Sequence, residues 1–361
     1  MRVGLLIYGD INTISGGYLY DRKLVEFLRQ QGDEVSIVSI DRVSYLKALI
    51  SNKIPAELKQ LELDVLIQDE LVHPSFWRIN HELKQLLKCP IVTLVHLFSC
   101  AMPLAAFKQQ FFRHVEKRYL ESVDALILNS KESYLQTKQL LSGEVPKNLI
   151  AFPCGNNFSE IKEVQKDYLS DNIKILFVGN ISPQKGLHVL VKAMAQLENK
   201  EITLSIVGRE DITSRYLRNI KKYIEINKLD KQIKFFGALS GEALKEKYIE
   251  HDVLAMPSVN EAYGIVFLEA MQFYLPVIGC NSGGASEIIE EGANGYLIDP
   301  EDNARLAALI DSLDKDRTLL KQLSKTSRQK YLQHPTWAES MNKIRIFLQE
   351  MTSTQEAAVG Q

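Results

Sequence analysis

The chain has 361 residues, of which 45% are hydrophobic and 24% are charged, and its formal net charge at pH 7 is −2. This length predicts about two domains, each large enough to bury a core of its own. The balanced charge, without a long basic run, predicts no nucleic-acid partner. The four cysteines are far apart and form no CxxC pair, which indicates reduced thiols in a cytoplasmic protein and neither a zinc site nor a disulfide framework.

The N-terminal stretch reads as the start of a doubly wound sheet. Residues 2–8 (RVGLLIY) predict a strand, not a signal peptide, and no apolar segment reaches the roughly 20 residues that span a bilayer. A polar loop that ends in Gly16-Gly17 follows, and then a helix over 18–31. Strand, glycine-rich turn and helix form the first unit of such a sheet. The glycine pair by itself fits plain turn chemistry equally well.

A histidine stands at the end of one predicted strand. Strands over 34–40, 63–68 and 91–95 continue the alternation, and His96 directly follows the last of them. Ligands of open α/β sheets bind at the carboxyl ends of parallel strands, so we expect His96 to face a ligand. The alternative is a histidine whose ring is satisfied by a neighbouring backbone group.

Residues 107–119 mix aromatic and basic side chains in the sequence FKQQFFRHVEKRY. One interpretation is an ordinary amphipathic helix whose aromatic rings belong to the core. The other is a helix that lies on an anionic membrane surface. We therefore predict a cytoplasmic protein and leave open a peripheral membrane contact through the helix 107–119.

The second half of the chain repeats the alternation, with glycine at the ends of its strands. After a predicted strand over 173–178, the segment GNISPQKG places Lys185 just before Gly186 and a new helix. A lysine at a helix start is a suitable ligand for phosphate. Two further predicted strands end in Gly208 and Gly237.

The stretch 253–291 contains two successive strand–loop–helix units. The helices that follow Gly264 and Gly284 start side by side, each with unsatisfied N–H groups, which predicts an anion site. Glu261 precedes the first helix and Glu269 lies in its second turn, and a carboxylate beside an anion site accepts hydrogen bonds from hydroxyls. The predicted ligand is a diphosphate flanked by two polyols, as in a sugar nucleotide. Two solvated glutamates on an amphipathic helix are the alternative.

The segment Glu261-Ala-Tyr-Gly-Ile-Val-Phe-Leu-Glu269 has an E-x7-E spacing and resembles the retaining glycosyltransferases of family 4, glycosyl transferases group 1. The following Gly283-Gly284-Ala-Ser-Glu287 is similar to that family's next element. The resemblance implies the GT-B fold, an α/β architecture of two Rossmann-like doubly wound domains that face a central crevice. We predict an acceptor-binding domain over 1–158, a nucleotide-sugar-binding domain over 159–333, a helix over 334–350 that crosses back, and a disordered tail over 351–361.

The resemblance also implies roles for single residues. Glu261 and His96 contact the transferred sugar and are the predicted catalytic residues, and Glu269 binds the ribose. Asn180 stands where the family usually has an arginine, so either Asn180 donates hydrogen bonds alone or another residue such as Arg209 compensates. The residues predicted to bind the donor, besides the two glutamates, are Gly16, Gly17, Asn180, Lys185, Gly208, Arg209, Gly237, Ala238, Leu239, Gly264, Ile265 and Val266.

The predicted reaction is transfer of a sugar from a nucleoside-diphosphate donor to the hydroxyl of a glycan, lipid or small molecule that the sequence does not identify. We predict a metal-independent, hexosyltransferase-type enzyme without a cofactor, because a helix N-terminus and a lysine can stabilise the departing diphosphate. No Asp-x-Asp motif occurs in a loop suited to Mg²⁺ or Mn²⁺. Two alternatives stay open: a GT-B epimerase or hydrolase of a sugar nucleotide, and a non-catalytic nucleotide-sugar-binding protein.

Overall fold

The computed structural model describes residues 1–51, 53–101, 106–158, 166, 172–211 and 213–359, with side chains described up to residue 353. The chain divides into two compact units. The first comprises Met1–Pro153 and Trp337–Gln361, and the second comprises Cys154–Thr336.

The first unit contains a parallel sheet whose strands, in the described residues, follow the order β2-β1-β3-β4-β5-β6. Strands β3 to β5 are buried along their whole length, as expected for a parallel sheet covered on both faces. The order reverses between β1 and β3, which makes their carboxyl ends a ligand-binding position in this type of fold. The strands are β1 (Arg2–Tyr8), β2 (Glu34–Ile40), β3 (Val65–Asp69), β4 (Ile91–Val95), β5 (Ala125–Leu128) and β6 (Lys147–Ile150).

The helices of the first unit connect these strands. They are α1 (Gly16–Gln30), α2 (Tyr45–Leu49), α3 (His73–Phe76), α4 (Asn80–Leu87), α5 (Ala106–Leu120) and α6 (Lys131–Leu141). Helix α1 begins earlier than the sequence predicts, because the Ser15 hydroxyl accepts a hydrogen bond of 3.2 Å from the Tyr18 amide and caps the helix. The predicted loop glycines, Gly16 and Gly17, therefore form the first turn of α1.

The second unit also contains a parallel sheet, and its order in the described residues is β12-β11-β10-β7-β8-β9. This is the strand order of dinucleotide-binding folds, and the reversal lies between β7 and β10. The strands are β7 (Lys174–Val178), β8 (Thr203–Val207), β9 (Ile233–Phe235), β10 (Val253–Ala255), β11 (Val277–Cys280) and β12 (Gly295–Ile298). The helices are α7 (Leu187–Gln196), α8 (Arg215–Ile226), α9 (Gly241–Glu250), α10 (Ile265–Gln272), α11 (Ala285–Ile288), α12 (Asn303–Lys315) and α13 (Arg317–Gln333).

The boundary between the units falls after Pro153, where the sequence predicts it after residue 158. The difference has a packing reason. A Cβ atom on Gly155 would lie 2.6 Å from the Cβ of Leu268 on α10, so the chain already lies against the second unit at this glycine. Residue 159, the predicted start of the second domain, lies outside the described residues.

The last helix, α14 (Trp337–Val359), belongs to the first unit. Arg345 of α14 binds Asp33 of the first unit, with 2.6 Å between Nε of Arg345 and Oδ2 of Asp33. The disordered tail predicted over 351–361 is wrong for residues 351–359, which continue the helix. Their sequence, MTSTQEAAV, contains no glycine or proline and has good helix formers at its end. Residues 360 and 361 lie outside the described residues.

Among the described residues, no helix combines the length and apolarity that crossing a membrane requires.

Candidate functional site

In the second unit, glycines bring together the loops that follow neighbouring strands. A Cβ on Gly208, after β8, would lie 1.9 Å from the carbonyl oxygen of Gly179, after β7. A Cβ on Gly186 would lie 2.0 Å from the carbonyl oxygen of Pro257, after β10. Only residues without side chains allow such approaches. The loops at the sheet reversal are therefore in direct backbone contact.

The loop after β9 joins the loops after β7, β8 and β10. The Gly208 amide donates a hydrogen bond of 2.8 Å to the carbonyl of Gly237, which has a φ of +69°. Asn180 and Arg209, which directly follow Gly179 and Gly208, are both exposed. Ala238, which directly follows Gly237, is exposed as well. The predicted residues of the base and phosphate sites thus line the carboxyl end of the sheet, with Leu239 half-buried behind them.

Lys185 and Glu261 form an ion pair in this position. Nζ of Lys185 lies 2.6 Å from Oε2 of Glu261, and the Ser258 hydroxyl donates a hydrogen bond of 2.9 Å to the same oxygen. The side chains are 24% and 12% exposed, so the pair is accessible at its edge. The sequence predicts separate roles for these two residues, and the structure joins them. Each neutralises the charge of the other.

The Gly283-Gly284 pair supports the loop that carries Glu261. A Cβ on Gly283 would lie 2.4 Å from the carbonyl oxygen of Glu261, and one on Gly284 would lie 2.3 Å from that of Ala262. The Gly284 amide donates a hydrogen bond of 2.7 Å to the Glu261 carbonyl. The pair thus packs against backbone, and the anion site at the two helix starts stays a prediction. Helix α11 behind it has a single turn.

Helix α10 begins at the accessible end of the same loop. Gly264 has a φ of +101°, a left-handed conformation that glycine adopts without strain. Among the described residues, no side chain caps the helix, and its first turn contains no acidic residue. The amides of Ile265 and Val266 precede the first intrahelical partner, so they are available to an anion.

Glu269 differs from Glu261 in its surroundings. It is buried, and its two oxygens accept hydrogen bonds of 2.8 Å from the Tyr248 hydroxyl and 2.7 Å from the Asn157 amide. Burial raises the pKa of Glu269. A pair of solvated glutamates is therefore the wrong interpretation of the E-x7-E spacing. Each carboxylate oxygen can accept one more hydrogen bond, so binding of ribose hydroxyls stays a prediction for Glu269.

In the first unit, the structure brings His96 and Gly17 together. His96 follows β4, and a Cβ on Gly17 would lie 3.3 Å from Cδ2 of its ring. Nε2 of His96 lies 3.0 Å from Oδ1 of Asp21, a fully buried residue of α1. Asp21 was not predicted from the sequence. A signal for it exists, because Asp21 lies four residues after Gly17 and interrupts the apolar face of α1.

Further carboxyls surround His96 at the end of β3. Burial lowers the pKa of His96, but Asp21, followed by Asp69 and Glu70, raises it more, to about 9. Burial and the charge of Asp21 raise the pKa of Asp69 to about 7. The His96 ring is paired with the Asp21 carboxylate, so a histidine satisfied by a backbone group is the wrong interpretation.

Glu70, His73 and Glu116 form a second buried cluster, each at most 1% exposed. Nδ1 of His73 lies 3.0 Å from Oε1 of Glu70, and Nε2 lies 3.0 Å from the Tyr45 hydroxyl. Burial raises the pKa of Glu70 to about 8 and that of Glu116 to about 7. None of these three residues was among the site residues predicted from the sequence.

Both histidine clusters have the residue types of metal ligands. Among the described residues, the ligand atoms of Asp21, Asp69 and His96 lie within 4.8 Å of one another, and those of the second cluster, Glu70, His73 and Glu116, do so as well. Oxygen and imidazole ligands suit several divalent ions. Independence from metal therefore stays a prediction.

Comparison with known proteins relates this geometry to an enzyme class. Residues 159–330 match the family model of "Glycosyl transferases group 1". An uncharacterized glycosyltransferase of Methanocaldococcus jannaschii is 31% identical over 186 residues, which are 50% of this chain and 47% of the relative. The D-inositol 3-phosphate glycosyltransferase of Corynebacterium efficiens is 24% identical over 323 residues, 80% of this chain and 73% of that one. The chain thus spans about half the length of the first of these relatives.

Solved structures resemble nearly the whole chain. Sucrose-phosphate synthase from Thermosynechococcus elongatus has a TM-score of 0.81 at 22% identity, over 98% of this chain and 99% of that chain. HepE of Anabaena, in complex with UDP-glucose, has a TM-score of 0.76 at 19% identity, over 97% of this chain and 100% of that chain. Likeness at these identities shows the fold.

The chain therefore has the GT-B architecture of two doubly wound parallel domains, and this prediction is confirmed. The enzyme class that the relatives support is the hexosyltransferase-type glycosyltransferase.

Proposed function

We propose that this protein is a retaining glycosyltransferase of family 4 that moves a sugar from a nucleoside-diphosphate donor to an acceptor hydroxyl. The observation that carries the proposal is the Lys185–Glu261 ion pair beside the uncapped start of α10, at the point where the order of the second sheet reverses. A cation, a carboxylate and free amides are the groups that a sugar diphosphate requires. Neither a metal nor another cofactor takes part.

The Lys185–Glu261 ion pair couples binding of the diphosphate to recognition of the sugar. A bound diphosphate carries more negative charge than one carboxylate, so it attracts Lys185 away from Glu261. The released carboxylate of Glu261 then accepts hydrogen bonds from hydroxyls of the transferred sugar. The amides of Ile265 and Val266 bind the phosphate oxygens.

The chemistry is a substitution on one face of the sugar. The bond between the anomeric carbon and the phosphate oxygen breaks, and its electron pair leaves with the diphosphate. The acceptor oxygen bonds to the anomeric carbon from the same face, and its proton passes to the departing phosphate. Lys185 and the amides of α10 stabilise the charge that develops on this phosphate.

Neither the base nor the sugar of the donor is identified, and a structural neighbour indicates which donors to test first. Because HepE was solved with UDP-glucose, UDP-sugars are the first donors to test. Asn180 in place of the family's arginine is the observation that favours the second candidate, a protein that binds a sugar nucleotide without turning it over.

A panel of UDP-, GDP- and ADP-sugars tests the proposal through thermal shifts and turnover. Donor at 100 times Kd adds about 2.7 kcal/mol of stability, which a melting curve resolves. Glu261→Gln is expected to abolish turnover. Glu198→Gln is the matched control, since Glu198 pairs with Lys315 at the same 2.6 Å but on the surface of the second unit.

Each other outcome identifies a rival. Absence of any thermal shift contradicts the donor site built on Lys185 and Glu261. Binding without turnover with any acceptor supports the non-catalytic protein. Turnover that needs no acceptor and leaves a free or epimerised sugar supports the hydrolase or epimerase.

A peripheral membrane contact is supported by the exposed end of α5. Its C-terminal half buries Val115 and Tyr119, as a core helix does, but Phe107 and Phe111 are 73% and 44% exposed. The ring of Tyr45, on α2, lies against the ring of Phe112, with 4.1 Å between the ring centroids. Leu46 of α2 is 72% exposed. An apolar surface among basic residues suits an anionic bilayer.

Cosedimentation with vesicles that contain anionic lipid tests this contact, because such lipid attracts basic segments. We expect Phe107→Ser to release the protein into the supernatant. Ile226→Ser removes a residue of similar exposure, 66%, from the second unit and serves as the control. Equal binding of both variants and the wild type contradicts the contact.

A further inference from the structure

The second unit contains a cavity of about 360 Å³ that none of the roles described so far uses. It is lined by the segment that follows the unit boundary, by Gln272 at the end of α10, and by residues at and after the end of α13. The described residues that line it all belong to the unit Cys154–Thr336, and none of them lies in the loops that carry Lys185 and Glu261. Pockets for small molecules have volumes of roughly 300–1,000 Å³, so the cavity can hold a small ligand.

Arg328 of α13 brings a positive charge to this cavity. Its Nη1 donates a hydrogen bond of 2.9 Å to the Gln272 carbonyl. Its guanidinium carbon lies 5.1 Å from the ring centroid of Tyr331 and 5.5 Å from that of Tyr274. Aromatic rings pack against the flat faces of a guanidinium, so the N–H groups at its edge stay available. Because no carboxylate among the residues that the structure describes pairs with Arg328, an anion in the cavity would supply the missing partner.

Gln272 adds a second polar group. The residue is 3% exposed, and its side-chain Oε1 has no hydrogen-bond partner within the described part of the chain. Buried polar atoms of folded proteins nearly always have a partner, and leaving one without a partner costs stability. The carboxamide can also turn over and present its NH₂ in place of the oxygen, so it can pair with a hydroxyl in either sense. A hydroxyl on the ligand is therefore the group that Gln272 suits.

The other residues that line the cavity bring no full charge to it at neutral pH. Among them is His334, whose pKa is lowered by burial. Both nitrogens of its ring have partners, since Nε2 lies 2.7 Å from the Tyr263 hydroxyl and Nδ1 lies 3.0 Å from the Pro335 carbonyl oxygen. Phe158 and Leu332 offer apolar surface to the carbon atoms of a ligand. The ligand that matches this cavity is small and has one anionic group.

We propose that the cavity binds a small oxyanion that also carries a hydroxyl group, with Arg328 on the anionic group and Gln272 on the hydroxyl. A phosphate ester of a polyol and a hydroxycarboxylic acid are the two sources of this chemistry. The site is separate from the donor site, since Gln272 is the last residue of α10 and Ile265 is the first. It depends on the contacts of Arg328 and Gln272 and not on the proposed transferase activity.

Calorimetric titration of the full chain with four probes tests the proposal. Glycerol 3-phosphate and glycerate carry an anionic group and hydroxyls, whereas inorganic phosphate has no carbon-bound hydroxyl and glycerol has no charge. We expect at least one of the first two to bind about tenfold or more tightly than inorganic phosphate, and glycerol not to bind. Binding of the phosphate ester alone or of the carboxylate alone identifies the source. No binding of any probe, or glycerol binding as tightly as the charged probes, overturns the proposal.

Three substitutions locate the bound probe. Arg328→Gln is expected to weaken its binding about tenfold or more, because a hydrogen bond to a charged group is lost. Arg305→Gln is the matched control, since Arg305 of α12 is 52% exposed, lies 3.9 Å from Glu291 and removes the same charge from the same unit. Lys185→Gln is also expected to leave the affinity unchanged. Loss of binding in Lys185→Gln with full binding in Arg328→Gln places the probe in the donor site and overturns the proposal.

A variant at the edge of the cavity keeps the test decisive if Arg328→Gln does not fold. Leu332 lines the cavity and is 64% exposed, so Leu332→Trp adds volume there without disturbing the core. It is expected to abolish probe binding and to keep a wild-type melting temperature. Ile226→Trp places the same side chain at a 66% exposed position of α8 and is expected to change neither. Full probe binding in Leu332→Trp overturns the assignment to this cavity.

The outcomes separate this site from the proposed function. A chain that binds a probe through Arg328 but turns over no sugar nucleotide contradicts the transferase and supports this site. A chain that turns over a sugar nucleotide but binds none of the four probes overturns this site and leaves the transferase intact.

Discussion

Asn157 donates a hydrogen bond of 2.7 Å to Oε1 of Glu269, and so a residue just after the unit boundary is tied to the second turn of α10. Tyr248 engages the other oxygen at 2.8 Å. The second glutamate of the E-x7-E segment is thus part of the folded core of the second unit. Its neighbours control both stability and the position of α10.

We predict that Asn157→Ala destabilises the second unit by about 1–3 kcal/mol, because it leaves a buried carboxylate oxygen without its donor. Urea unfolding measures the change. In a Glu269→Gln background the same substitution is expected to cost less, since the two residues share one interaction. Equal losses in both backgrounds contradict the coupling. Asn227→Ala, at an exposed helix end, is the control.

A comparison of Gly186 with Gly292 distinguishes the cost of a steric contact from the cost of backbone strain. Gly186 and Gly292 have nearly equal φ angles, +71° and +72°, but a Cβ would meet the Pro257 carbonyl at 2.0 Å only at Gly186. We expect Gly292→Ala to cost about 1 kcal/mol, the penalty of the left-handed conformation. Gly186→Ala is expected to cost on the order of 3 kcal/mol and to weaken donor binding, because Lys185 must move. Similar losses in thermal melts of the two variants would falsify the close approach of the loops.

Lys185→Gln is expected to weaken binding of a nucleoside-diphosphate sugar by about 1.5–3 kcal/mol, the worth of a hydrogen bond to a charged group. Calorimetric titration with the donor and with the corresponding nucleoside alone measures it. The nucleoside lacks phosphates, so its affinity is expected to stay unchanged. Lys315→Gln removes the surface lysine that pairs with Glu198 and controls for loss of one positive charge. A similar effect in both lysine variants contradicts a specific phosphate contact.

Stability is expected to fall as the pH rises from 6 to 9. The pKa of Glu70 is raised to about 8 and that of Glu116 to about 7, from ordinary values near 4.5. Because the folded chain keeps protons that the unfolded chain releases, this contribution is complete at acid pH and is lost as the pH passes these raised values. His96, whose pKa is raised to about 9, acts in the same direction.

The melting temperature is therefore expected to drop by about 5 °C between pH 6 and pH 9, and Glu70→Gln is expected to flatten the dependence. Asp33→Asn is the control for this pH dependence. Burial acts to raise the pKa of Asp33, but the ion pairs with Arg345 and the N-terminal amine outweigh it and lower the pKa. Because its pKa is lowered, Asp33 is ionised at both pH 6 and pH 9, so its own titration does not contribute to the dependence over this range. A wild-type melting temperature that is level over this range contradicts the buried, protonated state of Glu70.

The fold class could be predicted from the sequence, and so could the position of Lys185 and Glu261 at one edge of the second sheet. Alternation of apolar runs with glycine-rich loops and helices is a local pattern, and it sufficed for two doubly wound sheets. Lys185 and Glu261 were found because each lies in a loop after a strand, and such loops meet at the carboxyl edge of a parallel sheet. Local pattern also misled, since it placed the end of the last helix too early.

Which side chains meet could not be predicted from the sequence, because it depends on the three-dimensional fold. Asp21 and His96 are 75 residues apart in the chain, and Asn157 and Glu269 are 112 apart. No periodicity connects such residues, because their contact depends on strand order and on how each helix rotates about its axis. Burial then changes their chemistry. In the folded first unit, burial raises the pKa of Glu70 and Glu116, and neighbouring carboxyls raise the pKa of His96 against the opposing effect of burial. These effects act only once the chain has closed around the groups.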